Sequence, residues 1–213
     1  YQDGITFTPG SSSNGNVISN NYIGGSKPLC DSLSAAIPNW RNNYDDGFST
    51  NNEIDILTLD CGTITVSGNT IKRVQNSNSD NSGVVGIWLK GSTSATVSSN
   101  TFGDPVALSN RQLSCGGGGW VSAFAFSPGY VYGIYTSGSA AITLSSNNFY
   151  YLYQYGAYTG GSVFGISHTS SGACSITNNN FTGIQCSGIG YDAYCIKVVP
   201  SAALTGITIT VNK

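Results

Sequence analysis

A six-residue segment of the form apolar-x-x-Asn-x-apolar recurs along the chain, each time preceded by alternating hydroxyl-bearing and aliphatic residues. It begins at Ile18, Val66, Val97, Leu144 and Ile176, and a sixth copy from Ile209 runs to Lys213, one residue short of its final apolar position. The anchoring residues Asn21, Asn69, Asn100, Asn147, Asn179 and Asn212 are spaced by 48, 31, 47, 32 and 33 residues. That is a unit of about 31 to 33 residues with two insertions of roughly 15, falling within 24–53 and 103–131. A unit so short cannot bury an apolar face alone, so successive units must stack on one another around a shared interior.

Upstream of the anchors stands a second aliphatic line. It lies thirteen residues before the Asn in four copies (Ile56, Ile87, Ile134, Ile166) and sixteen before it in the first and last (Ile5, Ile196). Gly86, Gly133 and Gly165 precede three of these. Each unit thus offers a short strand, a Gly/Ser turn, a strand of period-2 alternation, a bend at the Asn and a third short strand. Asn suits the bend because it tolerates left-handed backbone, and its amide can bond the equivalent Asn of the next unit. Composition agrees: the chain holds 28 Gly, 31 Ser, 21 Asn and 19 Thr, residues of turns rather than long helices. With 39% hydrophobic residues there is material for a core.

On these residues the chain resembles the right-handed parallel β-helix proteins of the pectin-lyase-like superfamily, with their asparagine ladder at one turn. The resemblance covers nearly all of residues 1–213 and implies one all-β solenoid domain of about six rungs, with two insertions and at most one short helix. That helix would be Asp31–Ile37, with Asp31 as N-cap; the stretch from Cys115 to Tyr130 reads as a loop covering one side. The superfamily hosts lyases, hydrolases, fibres and adhesins, so the resemblance specifies fold and not activity.

Only 8% of residues are charged, the net charge is −2 and there is no basic run, which argues against a nucleic-acid partner. No apolar run reaches the length of a membrane-spanning helix, so membrane insertion is not expected. Beginning at Tyr1, the chain reads as a processed mature form. Cys30, Cys61, Cys115, Cys174, Cys186 and Cys195 form an even set with no CxxC pair, better read as disulfide partners than as a zinc site. Six cysteines allow 15 pairings, which spacing alone does not resolve, although Cys186 and Cys195 could close a local loop. Disulfides imply a secreted or cell-surface location.

Candidate chemistry is sparse. Sugar cleavage needs adjacent carboxylates, but Asp45-Asp46 reads as a turn beside Gly47, and Glu53, Asp55 and Asp60 read as a solvated strand edge in preference to a calcium patch. His168 reads as a surface or turn residue. Lys72-Arg73 and Lys90 lack an acidic frame, and Gly116–Gly119 is not followed by the Lys-Ser/Thr of a phosphate loop. No catalytic residue, metal or cofactor is assigned.

Two outward features remain. Beside Val17 and Ser19, the alternating strand carries Thr65, Ser67, Thr96, Ser98, Thr143, Ser145, Ser175, Thr177, Thr208 and Thr210, a hydroxyl face spaced at about 4.8 Å across strands and roughly 6.7 Å along them. Tyrosines cluster at Tyr130, Tyr132 and Tyr135, then at Tyr150, Tyr151, Tyr153, Tyr155 and Tyr158, candidate contacts for a protein or sugar. Asn180-Phe181-Thr182 is a glycosylation sequon. The leading expectation is a noncatalytic extracellular structural subunit, a filament, fibre or sheath that partners itself by head-to-tail stacking of open ends. A secreted polysaccharide lyase or hydrolase, a glycan-binding β-helix, and an ice-binding protein using the hydroxyl face are the alternatives.

Overall fold

The computed structural model describes residues 3–24, 40–42, 53–72, 74–76, 84–91, 93–105, 113–115, 130–138, 140–155, 162–187, 192–200, 202–203 and 206–213. Among them the structure is all-β, without helix; the expected helix at Asp31–Ile37 lies outside the described residues. The strands, numbered in chain order, form four parallel sheets.

The first sheet runs β1 (Asp3–Phe7), β5 (Glu53–Leu59), β9 (Val84–Gly91), β13 (Tyr130–Gly138), β17 (Ser162–His168), β21 (Asp192–Val198). The second runs β2 (Asn16–Ser19), β6 (Thr63–Ser67), β10 (Ser94–Ser98), β14 (Ile142–Ser145), β18 (Cys174–Thr177), β22 (Ile207–Thr210). The third holds β3 (Tyr22–Ile23), β7 (Thr70–Ile71), β11 (Thr101–Phe102), β15 (Asn148–Tyr150) and β19 (Asn180–Thr182). The fourth holds β4 (Trp40–Asn42), β8 (Val74–Asn76), β12 (Leu113–Cys115), β16 (Leu152–Tyr155) and β20 (Gln185–Ser187). Every strand thus pairs with its counterpart in the neighbouring copy of the repeat.

Register follows the repeat. Ile5, Ile56, Ile87, Ile134, Ile166 and Ile196 align across the first sheet, and Ile18, Val66, Val97, Leu144, Ile176 and Ile209 across the second. Period-2 alternation turns these side chains to one side, where all but Ile209 join or pack against a single core cluster that also holds Ile23, Ile71, Phe102 and Phe149. The fourth sheet was not anticipated. Its three- and four-residue strands carry too little alternation to be recognised, and β4 and β12 fall inside the two insertions.

Gly86, Gly133 and Gly165 make room for phenylalanine. A Cβ on Gly133 would stand 2.5 Å from Cε1 of Phe149, and one on Gly165 the same distance from Cε1 of Phe181. Phe102, Phe149 and Phe181 stack face to face through the interior with centroids 4.7 and 4.8 Å apart.

The Asn positions form a continuous hydrogen-bonded ladder. The side-chain Nδ2 of Asn21, Asn69, Asn100, Asn147 and Asn179 donates to Oδ1 of the next Asn at 2.9 to 3.0 Å. The backbone N–H of each donates to the same oxygen, and from Asn69 onward Nδ2 also donates to a carbonyl of the preceding copy, such as Val97 for Asn147 at 3.0 Å. The left-handed conformation belongs to the residue before the ladder, not to the ladder Asn: Asn20, Gly68, Ser99, Ser146, Asn178 and Val211 have φ between 50° and 66°.

Candidate functional site

The hydroxyl residues form the outward face of the second sheet. Val17, Thr65, Thr96, Thr143, Ser175 and Thr208 lie in one register line, and Ser19, Ser67, Ser98, Ser145, Thr177 and Thr210 in the next. Their partners along the strand point inward, so alternation alone produces the array. A third line precedes them, in which Thr63 and Ser94 give way to Ala141, Ala173 and Gly206. The shrinking side chains leave a trough of about 650 Å³ beside the threonine line, closed toward the first copy by Gly15 and Asn16. The Asn16 amide is held there by Ser13, Cys61 and Thr63. Sequence reading found the hydroxyls but missed Ala141, Ala173 and Gly206; stepping back along each strand from the Thr line would have located them.

The tyrosines divide. Tyr132, Phe164 and Tyr194 align across β13, β17 and β21 and stack with centroids 4.8 and 5.4 Å apart, within 12° of parallel. Trp88 and Tyr135 continue the cluster at 5.5 Å. Lys197 places Nζ 4.7 Å from the Tyr194 ring centre and Lys90 5.1 Å from that of Trp88, favourable cation–π contacts. Phe164 thus spends its faces on Tyr132 and Tyr194. Tyr130, 39% exposed, is the most open of them, while burial and the neighbouring phenols raise the pKa of Tyr132. The offset of about 30 residues that relates Tyr132, Phe164 and Tyr194 was visible in the sequence, yet only Tyr132 was singled out. Tyr150, Tyr151 and Tyr153 are half-buried; the Tyr155 side chain and Tyr158 lie outside what is described.

His168 corrects an expectation. It is fully buried rather than at the surface, because it occupies an inward position of β17, aligned with Thr136 and Val198. Its Nδ1 lies 2.8 Å from Thr136 Oγ1, Nε2 has no partner among the described residues, and burial lowers its pKa.

The expected disulfides are not formed among the described cysteines: Cys61, Cys174, Cys186 and Cys195 are all free thiols. Cys174 occupies an inward position of β18 and burial pushes it up to about 12. Cys195 sits where the neighbouring copy has Gly165. The Cys186 thiol is engaged by the Asp192 carbonyl. The Cys115 side chain and all of Cys30 lie outside the described residues.

The described carboxylates are dispersed along the chain. Asp60 follows β5, Asp104 pairs with Lys72 at 3.2 Å, and Asp192 opens β21, where its carboxylate accepts the Tyr194 hydroxyl at 2.9 Å. Among the described residues no group of three or more His, Cys, Asp or Glu could hold a metal ion. Asp45 and Asp46 lie outside them. Asn180 is half-buried in β19 with Thr182 exposed beside it.

At the far edge of the second sheet, β22 carries Ile207 and Ile209 on the inward lines, yet they are 39% and 47% exposed. The fold defines an all-β protein of parallel sheets built on an internal repeat. No protein-family model, curated protein or solved structure matches the chain.

Proposed function

We propose that the four sheets are the faces of a right-handed β-helical solenoid of six rungs, and that the protein is a noncatalytic structural subunit of the cell exterior whose columns join head to tail. The polarity of the Asn ladder carries this reading. Each Asn from Asn21 to Asn179 donates Nδ2–H to the next, while Asn212 Nδ2 donates to the Ile176 and Thr210 carbonyls and the Oδ1 of Asn21 receives no bond from the described residues. A second copy placing its Asn21 above Asn212 would continue the ladder unbroken. Its first rung would at the same time cover Ile207 and Ile209, and β22 would gain a parallel partner strand. A heterologous contact of this kind propagates into a filament. The placement outside the cell rests on composition, since the described cysteines do not pair.

Negative-stain electron microscopy of the native protein over a range of concentrations tests the reading. Filaments with an axial repeat of about 29 Å, six rungs at ~4.8 Å, are expected, and the Ile209→Lys variant should abolish them. Dispersed particles at every concentration would overturn it.

A further inference from the structure

The trough on the second sheet has features that the structural reading does not use. It runs across five copies of the repeat, perpendicular to the strands and parallel to the stacking direction. Its volume of about 650 Å³ falls within the usual range of ligand sites. Among the described residues no charged side chain lines it. The floor has Ala141, Ala173 and Gly206, whose carbonyls are already occupied by the N–H groups of Ala95, Ile142 and Cys174 at 2.8 to 3.1 Å. In these three copies the floor therefore offers apolar surface, while Thr63 and Ser94 carry hydroxyls on the same line in the two copies before them.

The wall is different. Thr65, Thr96, Thr143, Ser175 and Thr208 present one hydroxyl per copy, and none of these hydroxyls is hydrogen-bonded to another described residue. Each can both donate and accept. β-Branched threonine has few rotamers, and the Asn ladder holds the strands in register, so the row is preorganised along its length.

A ligand matching this surface must be linear, uncharged and periodic, with an apolar face toward the floor and hydroxyls toward the wall. A charged chain would lose hydration without gaining a counter-charge, and a purely apolar one would strand the hydroxyls. An extended neutral polysaccharide has the required combination, because each sugar ring pairs a C–H face with a rim of hydroxyls. We infer that the trough binds a linear neutral glycan lengthwise, without cleaving it, one sugar hydroxyl meeting Thr65, Thr96, Thr143, Ser175 or Thr208 at each step.

Threonine-methyl NMR titration of the whole chain with neutral linear oligosaccharides of increasing length tests this. Shifts are expected at Thr65, Thr96, Thr143 and Thr208, with affinity rising with chain length and levelling off once the ligand spans the five copies. Thr96→Val and Thr143→Val, which keep the branched shape, should each weaken binding about three- to tenfold, and Ala173→Phe should abolish it by filling the floor. The Val variants should retain the parent's melting temperature, which separates lost binding from lost fold. Absence of threonine shifts with every neutral oligosaccharide would overturn the inference, as would equal binding by Ala173→Phe or tighter binding of a polyuronide. Ice shaping by the protein without any oligosaccharide response would also overturn it and assign the hydroxyl row to a water lattice instead.

Discussion

Gly133 and Phe149 share one small space: a Cβ on the glycine would come within 2.5 Å of Cε1 and 2.6 Å of Cδ1 of the ring. The same pairing recurs as Gly86 with Phe102 and Gly165 with Phe181. In the first two copies, where Ile23 and Ile71 replace Phe, register sets Gly4 and Asp55 at the glycine position. The large ring and the absent side chain are two halves of one packing solution. Gly133→Ala should therefore cost about 1–3 kcal/mol through overpacking, and much of that cost should vanish when Phe149 is Leu. A double-mutant cycle by urea denaturation measures the coupling; strict additivity would mean that the ring relocates freely.

Asn147 supports both of its neighbours. Its Nδ2 donates to the Val97 carbonyl and to Asn179 Oδ1, and its Oδ1 accepts from the backbone N–H and Nδ2 of Asn100, all between 3.0 and 3.1 Å. Asn147→Ala leaves several buried groups unpaired at about 1–3 kcal/mol each. A loss of roughly 3 kcal/mol or more is expected, and thermal unfolding reads it. Asn212→Ala, at the half-exposed end of the ladder, should cost clearly less.

His168 makes stability depend on pH. Burial lowers its pKa from the ordinary 6.5, so the folded chain holds it neutral while the unfolded chain takes up a proton. The stability contribution is fully present above pH 6.5 and is lost as pH falls below it, at up to about 1.4 kcal/mol per pH unit. Melting temperatures followed from pH 7.5 to 5 should drop accordingly, and His168→Gln should flatten that portion of the curve. An unchanged slope in the variant would remove His168 as its source.

Thiol accessibility should rank the cysteines. Cys195 is exposed whereas Cys61 and Cys174 are buried; desolvation raises the pKa of all three, so access to reagent separates them. Brief maleimide labelling of the native chain, read by peptide mass spectrometry, should modify Cys195 first and reach Cys61 and Cys174 only in denaturant. Protection of Cys195 that reductant reverses would instead indicate a disulfide.

Much of the architecture was legible because it depends on each residue's place in the repeat. Asn21 through Asn212, the aligned isoleucines and the alternating Thr/Ser residues could be read from spacing, since side chains two apart face the same way and equivalent positions stack. The fourth sheet escaped because strands as short as Trp40–Asn42 and Leu113–Cys115 acquire their geometry from the strands above and below them, not from local alternation. His168 was misjudged for a related reason: its neighbours in sequence are polar, and its burial comes from an inward register position between Thr136 and Val198.

By itself the sequence determined the repeat, the ladder of Asn and the line of hydroxyls, all of which follow from one-dimensional periodicity. Only the tertiary structure decided that tyrosines at Tyr132 and Tyr194 spend their faces on Phe164, that the described cysteines stay apart, and that small residues at Ala141, Ala173 and Gly206 open a trough beside the threonines. These depend on which side chain the adjacent copy sets about 4.8 Å away, and residues some thirty positions distant along the chain become neighbours only once the sheets have formed.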